Sequence, residues 1–391
     1  MEESHGVVVV GGGICGLATA LALHGKGIAS LVLEKSETLR AEGGSIGIHV
    51  NGWRVLEQLG IAAELRETAN LVTTFHNVWQ LENKSTLVPV RGELRWLKRK
   101  DLIETLAKRI PAGTIRFGCH ISAVDAADPG HGHGAVLTTV DGSIIRAKVL
   151  IGCDGSNSVV AKYLGLPAPK STPSSFLRGF TRYPNGHPFG THFLRLRGNG
   201  FFVGRSPLTD NLVSFFVAFC NPDADLTKDA RAMKDFVLEQ LQDHQCPAEI
   251  VEMVQNSDPE SLNLVSKVWY RPPWQVAFGR FRKGAVTVAG DAMHVMGSYI
   301  GQGGSAALED ALVLARSLSR AAAAGESGEE AAIREYVAER RLRVTRLSLE
   351  SFVMGALLRA KSLVAKLACM AILALLGTES LRHTNYDCGR L

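Results

Sequence analysis

Between the apolar run Val7–Val10 and the helix-spaced stretch Ile14–Leu23 stands Gly11-Gly12-Gly13-Ile14-Cys15-Gly16. Glycines 11, 13 and 16 fit the G-x-G-x-x-G spacing, and the flanks supply the strand and helix that make the motif meaningful. Gly11 permits the tight turn. Gly13 leaves room for a pyrophosphate against the backbone, and Gly16 lets helix and strand pack closely. The free N–H groups of the helix N-terminus, Ile14 and Cys15 included, then face the phosphates with the positive end of the dipole. A second strand, Leu31–Leu33, ends at Glu34-Lys35. An acid at that distance is suited to the adenosine ribose and repels a 2′-phosphate. These residues predict a dinucleotide site without choosing the dinucleotide.

The 391 residues are 46% apolar and 21% charged, which fits one large or two intimate globular domains. A net charge of +5 is too mild to be the footprint of nucleic-acid binding. Seven cysteines without a C-x-x-C pair predict neither a disulfide framework nor a metal site, and fit a reducing, cytoplasmic setting. Val7–Val10 is too short for a signal peptide.

The pattern alternates strand and helix to about residue 170. Gly52–Leu59 and Asp101–Arg109 read as helices, the latter with Asp101 as N-cap. Ile115–Val124 and Ala135–Val140 read as strands, with a hairpin at Asp141-Gly142. From 171 to 275 strand-like segments separated by Pro and Gly predict a mainly antiparallel sheet. The first pattern resumes from 276 to 350, and 351–391 forms a C-terminal helical segment. The predicted architecture is α/β: a Rossmann-type domain interrupted by an antiparallel β-sheet domain that would hold substrate, plus C-terminal helices.

Two further strands end in acids: Val149–Ile151 runs into Asp154-Gly155, and Val286–Ala289 into Gly290-Asp291. Carboxylates at strand ends point into the crevice where open α/β sheets bind ligands. A second glycine loop, Gly301-Gln302-Gly303-Gly304, then opens another helix.

With these motifs the chain resembles the class A flavoprotein monooxygenases, the group of para-hydroxybenzoate hydroxylase, salicylate hydroxylase and zeaxanthin epoxidase, and within it a plant salicylate-hydroxylase-like branch. The likeness covers roughly residues 5–350. It implies a glutathione-reductase-like FAD domain in which Asp291 holds the ribityl chain and residues 301–304 face the pyrimidine side of the flavin. Arg99 matches the family's Arg-x-x-Leu, and Arg40 precedes a flavin-side loop at 43–48. NADH or NADPH would bind transiently as reductant, in keeping with a single G-x-G-x-x-G. The implied reaction passes oxygen from a flavin C4a-hydroperoxide to an electron-rich carbon of a small hydrophobic or aromatic substrate. No catalytic triad is expected, the chemistry being the cofactor's. His294, Ser298 and Tyr299 lie on the flavin-side loop. Phe180, Phe193, Phe202, Phe216, Met296 and Tyr299 are candidate pocket walls, and Arg178 and Arg182 candidate anion partners.

Two departures concern activity. Ser298 stands where the family places Pro, and Ala161 where it places Arg. They motivate an alternative, a catalytically impaired flavin- or ligand-binding regulator of the same fold. The Leu- and Ala-rich stretch 351–377 reads either as a helix packed on the first domain or as one lying in a membrane interface. Its uninterrupted apolar part is too short to span a bilayer. The final Gly389-Arg390-Leu391 only loosely resembles a peroxisomal address.

Overall fold

A computed structural model describes residues 2–39, 43–127, 134–172, 174–198, 200–220, 229–265, 267–324, 328–360, 362–377 and 382–391. The first strand, Glu2–Val10, lies centrally in the first sheet, parallel to Ser30–Leu33 on one side and Ile144–Gly152 on the other. Val286–Val288 continues the sheet beyond Ile144–Gly152, also in parallel. Central parallel strands are covered on both faces, which explains the unbroken runs of Val, Leu and Ile. Helix Ile14–Gly25 and the long helix Gly303–Ala324 contribute to the same hydrophobic core.

The second sheet has seven strands, in the order Asn263–Val265, Ser174–Arg182, Leu212–Cys220, Phe201–Thr209, His192–Arg197, Thr74–Trp79 and Lys84–Pro89. All neighbours are antiparallel except His192–Arg197 against Thr74–Trp79. Side chains alternate between its faces. Leu177, Leu194, Leu196, Val213, Phe215 and Val217 bury on one face, in a core with helices Ala230–Asp243 and Ala248–Gln255. The opposite face carries Phe193, Arg195, Phe202, Phe216 and Arg178. Two of the seven strands come from 74–89, far ahead of the 171–275 stretch in which the sequence suggests this sheet.

A third, small sheet joins Ser45–His49, Leu94–Lys98 and Asn70–Leu71. It lies between the other two. Ile46 reaches toward the second glycine loop, where a Cβ on Gly304 would come within 2.6 Å of its Cδ1. On the other side Ser45 Oγ is 2.5 Å from Ser214 Oγ, and Trp96 stacks on Phe193 with centroids 4.6 Å apart.

Several boundaries differ from the sequence reading. The helix read as Asp101–Arg109 starts at Arg99 with Lys98 at its N-cap, so Asp101 is an acid of the first turn rather than the cap. Ile115–Val124 divides into Ile115–Arg116 and Ile121–Ala126. The helix beginning at Gly328 runs to Arg359, taking up the first part of the stretch read as a C-terminal segment. A separate helix, Leu363–Leu376, follows and ends at Gly377. The terminal residues turn back onto the fold, where the Leu391 amide donates to Gln58 Oε1 at 2.6 Å and Arg316 donates to the Cys388 carbonyl at 2.5 Å.

Candidate functional site

The three glycine-and-acid motifs meet around Cys15. Gly11, with φ of 104°, sits against the strand that ends at Asp154, and a Cβ there would come within 2.5 Å of the Cys153 carbonyl oxygen. A Cβ on Gly16 would collide with the Gly11 carbonyl. Cys15 Sγ lies 3.7 Å from Cys153 Sγ, and a Cβ on Gly290 would come within 3.0 Å of Cys15. Close packing therefore requires glycine at 11, 16 and 290. Gly13 differs: nothing lies within 4 Å of where its Cβ would be. The helix N-terminus thus opens onto free space at the position the motif reserves for phosphate.

Glu34 sits at the end of the neighbouring strand, 5% exposed. Its Oε2 accepts from the Gly12 amide at 2.7 Å and Oε1 from the Ser36 amide at 2.9 Å. Lys35 is exposed beside it. Asp154 Oδ2 accepts from the Val159 amide at 2.7 Å, while Oδ1 is buried without a hydrogen-bond partner among the described residues. Burial pushes this carboxyl above its ordinary value, against hydrogen bonds that include Ser158. Gly155 follows with open space around it.

Asp291 meets solvent although protein surrounds it, as at the floor of a cleft. Burial raises its carboxyl; the charges of His294 and Arg99 oppose this. Arg99 donates its amide to the Gly44 carbonyl at 3.0 Å, and its Nη1 lies 3.7 Å from the Cβ position of Gly43. Arg99 therefore faces the same cleft from the first turn of the helix that follows the small sheet. Arg40 lies outside the described residues.

The second glycine loop turns at Gly301, with φ of 64°. The helix starts at Gly303, so Gly303 and Gly304 belong to its first turn, with open space at Gly303. Gln302 turns inward. Its Oε1 accepts from Asn51 Nδ2 at 2.9 Å, and Asn51 Nδ2 also donates to Glu309 Oε1 at 2.6 Å. Glu309 pairs with Arg340 and Arg343, and Asp310 with Arg340 and His294. Asp310 Oδ2 also accepts from the Gly290 amide at 2.8 Å. Burial would raise the Asp310 carboxyl; His294 and Arg340 more than offset this and hold it at about 2. One buried ionic network thereby fixes both the Gly290-Asp291 turn and the second glycine loop. Nothing local in the sequence marks Asn51, Arg340 or Arg343 for this site, because each is a single polar residue within a helix whose partners lie on other elements.

The remaining loop residues divide. His294 is fully buried, with Nε2 2.6 Å from Asp310 Oδ2, which gives it a structural position. Ser298 is exposed in a short 3-10 turn. Tyr299 points toward the long helix, where its OH receives a hydrogen bond from Arg359 Nη1 at 3.1 Å. With Met296 and Phe352 it lines a small recess behind the loop. Among the proposed walls, Phe193, Phe202 and Phe216 share the near face of the large sheet, with Phe202 and Phe216 centroids 5.6 Å apart. Phe180, on the same face of its strand, takes its amide hydrogen bond to Ser261 Oγ. Arg178 is half-buried and donates to Asn263 Oδ1, with Nε and Nη2 both at 3.2 Å, whereas Arg182 is exposed. Ala161 is buried in a short helix whose N-cap is Ser158.

Known proteins give the site a context. Residues 4–351 match the family described as FAD binding domain. Monooxygenase 1 of Arabidopsis thaliana is 43% identical over the full length of both chains. Monooxygenase 2 of the same plant is 34% identical over 100% of this chain and 99% of its own. The fold is also that of Klebsiella pneumoniae HpxO complexed with FAD and uric acid, with a TM-score of 0.79, 24% identity, and coverage of 98% of this chain and 96% of that one.

Proposed function

Since this chain belongs to the class A FAD-dependent monooxygenases, we propose that it oxygenates a small aromatic molecule in the cleft between the glycine loops and the near face of the large sheet. The supporting observation is the convergence of three separated motifs around Cys15, with open space at Gly13 and, next to Gly11, Asp154 with an oxygen that has no partner among the described residues. These features fit FAD. A bound FAD, reduced by NADH or NADPH, would supply the activation of O2, one atom of which goes to the substrate and the other to water.

The protein's part is to bind, orient and exclude water. Gly11, Gly13, Ile14, Cys15 and Gly16 present the helix N-terminus to the pyrophosphate, and Glu34 accepts from the adenosine ribose. Arg99, Asp154 and Asp291 hold the middle of the cofactor. Gly301–Gly304 places a helix N-terminus where negative charge gathers on a reduced flavin. Gln302 acts through the Asn51–Glu309 network, which keeps that loop in place. The phenylalanines of the near face, together with Trp96, support an aromatic substrate, and HpxO, in the same fold, is complexed with uric acid. The test is NAD(P)H oxidation by the purified yellow protein across a panel of phenols and aromatic acids. The expected result is stimulation by at least one, with a product heavier by one oxygen. A panel without stimulation removes the aromatic reading.

Six cysteines among the described residues are free thiols, which supports a reducing, cytoplasmic setting. Among the described residues no helix is long and apolar enough to cross a membrane. Helix Leu363–Leu376 nevertheless leaves Val364 77% and Leu375 89% exposed, with Lys366 beside them. This supports peripheral contact with an anionic membrane surface, tested by co-sedimentation with anionic vesicles; a chain that stays in the supernatant counts against it.

A further inference from the structure

Cys15 and Cys153 lie 138 residues apart in the chain and touch in the fold, with their Sγ atoms 3.7 Å apart. Each comes from one of the cofactor motifs. Cys15 stands in the first turn of helix Ile14–Gly25, between Gly13 and Gly16 of the glycine turn. Cys153 follows strand Ile144–Gly152 and precedes Asp154. Both are free thiols, 7% and 8% exposed. A Cβ on Gly290 would come within 3.0 Å of both Cβ and Sγ of Cys15, so the third motif leaves the room that this side chain uses. Two small apolar side chains would fill the same space; two thiols add the capacity to bond to each other.

The two sides of this contact are not equally fixed. The Cys153 amide donates to the Val10 carbonyl at 2.7 Å, and the Gly152 carbonyl before it accepts from the Ala289 amide at 2.9 Å. Cys153 is thus held by the strands on either side of its own. Cys15 belongs to the first turn of a helix, where amides lack partners within the helix. Two residues before it, nothing lies within 4 Å of the Cβ position of Gly13. Closing the sulfurs to the about 2.05 Å of a disulfide therefore shifts the helix N-terminus rather than the strand. That N-terminus is the part of the site that faces phosphate. The open space at Gly13 also admits a small oxidant, and a bound pyrophosphate closes it.

We propose that Cys15 and Cys153 are an oxidation site: a peroxide joins them in a disulfide when the FAD space is empty, and this bond lowers the affinity of the site for FAD. Hydrogen peroxide converts one thiol to a sulfenic acid with release of one water. The second sulfur then displaces the hydroxyl, which leaves as a second water, and the S–S bond forms. The two thiols together lose two hydrogens and two electrons, and the O–O bond of the peroxide is reduced to two waters. A dithiol reductant reverses the bond by exchange. The Cys153 thiol and burial push the Cys15 thiol well above its ordinary value, so oxidation is slow at neutral pH and quickens as pH rises. The inference rests on the FAD reading of the cleft and not on oxygenation.

The experiment incubates the full-length protein with hydrogen peroxide, either stripped of FAD or with FAD in saturating excess. Remaining thiols are blocked, the protein is digested without reduction, and linked peptides are identified by mass spectrometry. The expected result is a Cys15–Cys153 link in the FAD-stripped protein, lighter by two hydrogens than the two thiol peptides together, and little of it under FAD. Titration of the oxidised protein with FAD, followed by the flavin fluorescence, then gives an affinity about tenfold or more below that of the reduced protein, as expected when charge-assisted hydrogen bonds to phosphate are misplaced. Recovery of affinity on adding dithiothreitol separates the disulfide from loss of fold. Cys153→Ala loses no affinity under the same peroxide treatment. Sulfurs that oxidise singly or not at all, a link that forms as readily under FAD, linked protein that binds FAD as tightly as reduced protein, or an equal loss in Cys153→Ala each overturn the proposal. A protein that shows the link but oxygenates nothing would strike the oxygenase reading alone, and an active oxygenase without the link would strike this inference alone.

Discussion

Arg340 Nε donates to Asp310 Oδ1 at 2.7 Å, with both side chains fully buried. Arg340 comes from the long helix 328–359 and Asp310 from the helix that the second glycine loop opens. Because Asp310 also binds the Gly290 amide, this pair ties the Gly290-Asp291 turn and the second glycine loop to the C-terminal part of the chain. Arg340→Met would leave Glu309 and Asp310 short of a counter-charge in the interior. The expected cost is about 3–5 kcal/mol, read from urea denaturation, with reduced FAD content in the protein that remains folded. A neutral substitution would mean that the network is dispensable.

Gly13 and Gly16 separate binding from folding. A methyl on Gly13 meets no protein atom, so Gly13→Ala should cost the apo fold no more than about 1 kcal/mol as a poorer N-cap. It should weaken FAD markedly, since the methyl enters the phosphate space. Gly16→Ala drives a methyl into the Gly11 carbonyl and should cost about 3 kcal/mol or more, with loss of soluble protein. Thermal melting and FAD titration of the two variants check the contrast.

Ser298 departs from the family's proline, yet its backbone accepts one. It is the first residue of a short 3-10 turn, and Gly297 before it has ψ of 149°, in the extended range that precedes proline comfortably. Ser298→Pro should fold normally and gain up to about 1 kcal/mol in thermal or urea unfolding. Its turnover should stay close to wild type. A large rise in turnover would revive the reading of a catalytically impaired protein.

His49 sets a pH dependence. Its folded value is held near 3, against an ordinary value of 6.5, because burial and the charges of His383 and Arg195 disfavour the imidazolium. Between these values the unfolded chain binds a proton that the folded chain refuses. The stability due to neutral His49 is therefore complete above about 6.5 and declines as pH falls toward 3. From pH 7 to pH 5 the loss is about 2 kcal/mol for this residue. His49→Asn should flatten the stability profile over that interval by this amount; an unchanged slope would contradict it.

What was legible in the sequence follows a physical division. The glycine turn, Glu34, Asp154 and the Gly290-Asp291 turn are local: each is a strand end whose next residues must turn or bind, and the structure brings them together. The second sheet was only half legible. Thr74–Trp79 and Lys84–Pro89 carry polar residues, and the first of them joins a strand more than a hundred residues away, so no local pattern announces the pairing. His49 was missed for a related reason: it is a single polar residue on a strand, and its low affinity for a proton comes from burial and from the charges that other elements bring near it. Arg178 and Arg182 looked equivalent, since alternation puts both on one face; only the fold shows one half-buried on Asn263 and the other in solvent.

The most direct test of the central claim is turnover under ¹⁸O2 with the purified FAD-loaded enzyme, NAD(P)H and the aromatic compound that stimulates NAD(P)H oxidation most. The predicted result is a product carrying one ¹⁸O atom, formed in step with the NAD(P)H consumed. Unlabelled product, or reductant consumed with only hydrogen peroxide formed for every ligand that binds, would contradict it.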